Sequence, residues 1–142
     1  MQRLLAAFLA AIIAVGATTL SLRADTKVAV PIPNLDGISQ ADAERLLAAL
    51  AQINVVTSNC PDYRISDDEW MLLTGTGDML AARLGIDPAT YDRNYYGPAF
   101  RMMEDPGACD RIGPRARPII DDLIAMGGGW AGKGSSASKA DK

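Results

Sequence analysis

Apolar residues recur at helical spacing between Ser39 and Asn59: Ala43, Leu46, Leu47, Leu50 and Ile53, with Gln40, Asp42, Glu44, Arg45 and Gln52 between them. This pattern predicts an amphipathic helix with one buried stripe. Ser39 has the character of an N-cap, with Asp42 three residues on as a weaker form of the capping box. The stripe continues through Val56 to Cys60, and Pro61 ends the helix at or before Asn59, so Cys60 should face inward.

The clearest start signal follows in "SDDE", with Ser66 as N-cap, Glu69 at the third helical position and Asp67 and Asp68 in the first turn. Trp70, Leu73, Gly77, Leu80 and Leu84 then alternate at three and four residues. They predict one helix from Asp67 to Leu84 on whose apolar face Trp70 lies. Gly75 and Gly77 each cost such a helix about 1 kcal/mol, so a break at "GTGD" is the alternative.

Gly85 is placed to close that helix in the left-handed conformation, and Asp87-Pro88 to open the next as N-cap and first residue. Ile86 and Tyr91 then stand at the positions of a hydrophobic staple. Gly97-Pro98 punctuates again. Phe100 and Met103 form an inward pair on a short following helix, and "DPG" at 105–107 leads into Cys109. A last helix is expected from Pro114 to about Met126, with Ile119, Ile120, Leu123 and Ile124 on one side and a slight bend at Pro118.

Residues 25–38, which include "DTKVAVPIPNLD", alternate Val28, Val30 and Ile32 but carry Pro31 and Pro33. They predict an extended arm along the domain surface rather than a central strand. Residues 128–142 are rich in Gly, Ser and Lys and read as a disordered tail. With no repeat and no convincing strand pair, the expected fold is all-α: a small bundle of four to six helices over residues 39–127.

Two cysteines, Cys60 and Cys109, imply one disulfide if the chain is exported. The absence of histidine from the whole sequence removes Ser-His-Asp and Cys-His catalysis, histidine-ligated zinc and haem attachment through C-x-x-C-H. No metal site, cofactor or catalytic residue is assigned. The opening "MQRLLAAFLAAIIAVGATTLSLRADTK" has one early arginine, an apolar run from Leu4 to about Val15, then small and weakly polar residues. That is the layout of a signal peptide cleaved after Ala17 or, as residues 1–24, after Ala24. An uncleaved anchor is the rival, and only it would bring the protein to a membrane. Loss of Arg3 and Arg23 from the 14 basic residues leaves 12 against 17 acidic, a net charge of −5. Such a balance argues against nucleic acid as a partner. The expected location is the periplasm or the exterior.

Four of the eight aromatic residues fall between Asp87 and Cys109: Tyr91, Tyr95, Tyr96 and Phe100. Helical geometry sets Tyr91 and Tyr95 on one face with Tyr96 about 100° away; Tyr91, Tyr95 and Phe100 fit the core or its margin, and Tyr96 with Arg93 is the best candidate for an exposed contact. Trp130, a lone aromatic in the tail, is a further candidate for partner binding. Arg111, Arg115 and Arg117 surround a helix start, where cations are unfavourable, so an anion or acidic side chains should answer them. A disulfide from Cys60 to Cys109 would supply the acids by bringing residues 62–69 beside these arginines.

In its signal-like start, size, helix class and cysteine separation the chain is loosely similar to the small helical periplasmic acid-stress chaperones, although no residue motif carries the likeness. The resemblance implies a holdase-type chaperone as an alternative. The residues themselves point to a non-enzymatic interaction or accessory protein of the cell envelope that binds another envelope protein. A carboxylate-dependent hydrolase is the third reading, and it requires two convergent acids in a pocket.

Overall fold

The computed structural model describes residues 30–129. The N-terminal apolar run with both cleavage positions, the beginning of the arm, and the segment from Trp130 onwards lie outside the described residues. Within them the protein is all helical. Its helices are α1 (Gln40–Asn59), α2 (Asp67–Arg83), α3 (Pro88–Tyr91), α4 (Gly97–Met102), α5 (Ala108–Ile112) and α6 (Ala116–Ala125). A π-turn, Asp92–Tyr96, joins α3 to α4 without a break, and a 3-10 turn, Gly113–Arg115, does the same between α5 and α6.

The start signals work as their chemistry requires. The Ser39 hydroxyl accepts from the Asp42 amide, and Asp87 accepts from the Thr90 amide. Ser66 and Glu69 close a full capping box. Gly85 takes φ +68°, the left-handed conformation that ends α2. Neither Gly75 nor Gly77 interrupts α2, which runs continuously to Arg83.

α1 is the central element, and its second half is buried at Leu50, Ala51 and every residue from Ile53 to Thr57. Leu47, Leu50, Ile53 and Val56 enter the main core with Leu72, Leu73 and Leu80 of α2 and Ile120 and Leu123 of α6. On another side of α1, Ala51 and Val55 form a second small cluster with Ala99 of α4. Small residues there let the two helices approach closely. Two buried hydroxyls bond back along their own helices, Thr57 to the Ile53 carbonyl at 2.8 Å and Thr76 to the Leu72 carbonyl at 2.6 Å. Buried polarity is thereby satisfied locally.

Several elements depart from the sequence reading. Gly97-Pro98 does not end a helix. The Gly97 amide bonds to the Asp92 carbonyl five residues back, and this wider turn carries the chain into Pro98, which has no amide to donate and would crowd the carbonyl four residues before it. The last helix begins at Ala116, after the 3-10 turn, rather than at Pro114. Pro118 is therefore third in α6, where an amide has no intrahelical partner to lose. The arm is extended but does not simply lie on the surface, because Val30 and Leu35 are buried in the core. It is pinned by Asn34 N–H to the Met126 carbonyl at 2.9 Å and by Gly129 N–H to the Pro31 carbonyl at 2.8 Å. Gly128 and Gly129, assigned to the tail by composition, are thus part of the packed structure.

Candidate functional site

Cys60 and Cys109 form the disulfide, with Cα atoms 5.8 Å apart, inside the normal range for such a link. Cys60 is 1% exposed at the end of the α1 stripe, as its spacing required. The cross-link brings the segment after Cys60 against the segment after Cys109. Tyr63 stacks on Gly113, where any side chain would meet the ring.

Of the three arginines expected to meet residues 62–69, one does. Arg117 Nη1 donates to Glu69 Oε1 at 2.6 Å and lies 3.8 Å from Asp121. Arg111 instead pairs with Asp105 at 2.5 Å, because that aspartate, in the turn before α5, is within local reach. Arg115 is exposed and forms no ion pair among the described residues. Glu69, itself buried, also accepts from the Ser66 amide at 2.9 Å. Burial alone would raise its pKa, but the Arg117 hydrogen bond and the Ser66 amide together hold it below the usual carboxylate range.

The aromatic corner is arranged differently from its expected form. Tyr91 is buried and makes edge contacts with Tyr95 and Tyr96, ring centroids 5.7 and 5.2 Å away. Its hydroxyl reaches α2 at Gly77, where a Cβ would come within 2.5 Å of it. Burial pushes the Tyr91 hydroxyl pKa well above the ordinary value, with Tyr96, Asp78 and Asp92 adding to the shift. Tyr96, expected to be the exposed member, is half-buried, and its hydroxyl accepts from Asn54 Nδ2 at 3.2 Å. Burial raises its pKa too, against an opposing effect of the Tyr91 hydroxyl. The π-turn rotates the positions after it relative to an α-helix, and this exchanges the roles of Tyr96 and Phe100.

Phe100, expected in the core, is 57% exposed, the largest exposure of any large apolar residue among those described. Its ring lies 6.4 Å from that of Tyr96. Trp70, expected on the buried stripe of α2, is 45% exposed. Seven residues back from Gly77 on α2 and seven on from Leu47 on α1, Trp70 and Asn54 fall at a similar level of two antiparallel helices that meet at Leu47 and Gly77. Arg93 is exposed on the π-turn, and its guanidinium donates to Thr90 Oγ1 at 3.4 Å. Trp130 lies outside the described residues.

Asn54 escaped the sequence reading. Its signal was a single amide inside the apolar run "INVV", a position that needs a polar partner when buried. Chemically, the corner offers ring faces and edges on a fixed backbone. No cluster of three or more Cys, Asp or Glu side chains suited to a metal ion occurs among the described residues. No helix among them is long and apolar enough to cross a membrane.

Comparison with protein-family models, curated proteins and solved structures finds no match for this chain.

Proposed function

We propose that this is a small exported interaction protein of the cell envelope, non-enzymatic, which binds another protein through the face presented by Phe100 and bordered by Tyr96 and Arg93. The observation that carries the reading is the exposure of Phe100, 57%, on a helix whose neighbouring Ala99 is locked against α1. A rigidly held, exposed aromatic contributes large contact area at small entropic cost, the usual property of an interface anchor. The disulfide supports an oxidising compartment. The N-terminal apolar run supports export.

Affinity purification of the tagged protein from its native envelope tests the reading. A stoichiometric partner retained by the wild type and lost with Phe100→Asp supports it, whereas equal recovery with that variant refutes the assignment of the face.

One observation favours the holdase alternative. The Glu69 carboxylate ties α2 to α6, and acid would neutralise it. That reading requires suppression of client aggregation somewhere between about pH 2 and 7. Its absence throughout would end it. For the hydrolase reading, the cleft beside Tyr63 offers one carboxylate, Asp62, and no convergent second acid.

A further inference from the structure

The disulfide joins two short segments that form the walls of a cleft of about 230 Å³. One wall is Asp62, Tyr63, Arg64 and Ile65; the other is Gly113, Pro114, Ala116 and Arg117. The cross-link and the stacking of Tyr63 on Gly113 fix the walls relative to each other, so the cleft exists before any ligand arrives. We infer that this cleft is a binding site for a small carboxylate carrying an apolar group.

The cations come one from each wall. Arg64 forms no hydrogen bond through its side chain and no ion pair among the described residues. Arg117 is engaged with Glu69 and Asp121 through Nη1 alone, which leaves Nη2 and Nε as donors on a side chain that is 49% exposed. Guanidinium groups present paired N–H donors that match the two oxygens of a carboxylate. Ile65, Pro114 and Ala116 supply an apolar lining beside them. Asp62, on the same lining, makes no ion pair with either arginine, and its charge opposes a dianion such as phosphate more strongly than a monoanion. The volume, about 230 Å³, suits a ligand the size of one residue.

Such a carboxylate has two sources, a free small acid or the C-terminus of a peptide. Nuclear magnetic resonance titration of the full chain, purified with its disulfide oxidised, separates them with two probes: N-acetyl-leucine, and the tripeptide Ala-Ala-Leu with a free C-terminus. Each is paired with its C-terminal amide. The expected result is amide shifts confined to residues 62–65 and 113–117 with at least one acid, a millimolar-range dissociation constant, and about tenfold weaker binding in Arg64→Ala. Arg64 is exposed, and its loss removes no side-chain hydrogen bond or ion pair among the described residues. Shifts with N-acetyl-leucine alone assign a free acid; shifts with the tripeptide alone assign a peptide terminus. No saturable shift in this region with either acid, or equal binding of the amides, would overturn the inference.

Discussion

Glu69 and Arg117, 48 residues apart in sequence, meet at 2.6 Å, and the same carboxylate completes the capping box of α2. One side chain therefore holds the start of α2 and fastens it to α6. Glu69→Gln should destabilise the fold by about 1–2 kcal/mol, because a charge-assisted hydrogen bond and part of a helix cap are weakened together. The exposure of Arg117 limits the effect.

The pH dependence follows from the sign of the Glu69 shift. Its pKa is depressed in the folded state, so its contribution is complete above the ordinary glutamate value of roughly 4.3 and is lost as pH falls through the lower, folded value. Urea unfolding at a series of acidic pH values should show stability declining through that range in the wild type. The decline should be shallower in Glu69→Gln.

Tyr91 and Gly77 give a prediction that changes sign with background. Gly77→Ala would place Cβ 2.5 Å from the Tyr91 hydroxyl but 3.7 Å from the ring carbon bearing it. In the wild type the clash should outweigh the better helix propensity of alanine and cost about 1–2 kcal/mol. In Tyr91→Phe the hydroxyl is gone, and the same change should become neutral or stabilising. A thermal double-mutant cycle checks this, and a penalty unchanged by Tyr91→Phe would show that the contact is not the cause.

Removal of the disulfide as Cys60→Ala with Cys109→Ala opens a loop whose ends lie 49 residues apart. The chain-entropy account expects a loss of roughly 4 kcal/mol, a large share of what a domain of this size possesses. Denaturant titration should show a much lower midpoint. Loss of structure around residues 62–65 and 113–117 should precede global unfolding, since the cross-link aligns those two segments.

The local signals in the sequence were reliable where the chemistry is local. Ser66 with Glu69, Asp87 with Pro88, and the left-handed Gly85 each act within one turn of the chain, and each was legible. The facing of Cys60 was equally legible because the α1 stripe keeps strict helical spacing. Phe100 and Tyr96 exchanged expected roles because the π-turn shifts the helical phase, and Gly97-Pro98, where the wider step is made, was read as a break between helices. Trp70 was misplaced for another reason: it shares a face of α2 with Gly77 and Ala81, which are buried, but it stands in the first turn of the helix, and how far a buried stripe extends along a helix depends on the neighbouring elements that cover it. Arg117 found its acid through the disulfide, whereas Arg111 had a closer one in Asp105.

Photo-crosslinking in living cells tests the central claim, that Phe100 anchors a protein partner, most directly. The account predicts that benzoylphenylalanine at position 100 gives one discrete protein adduct and that the exposed position 45 on α1 gives none. No adduct at position 100, or one no stronger than at position 45, would contradict it.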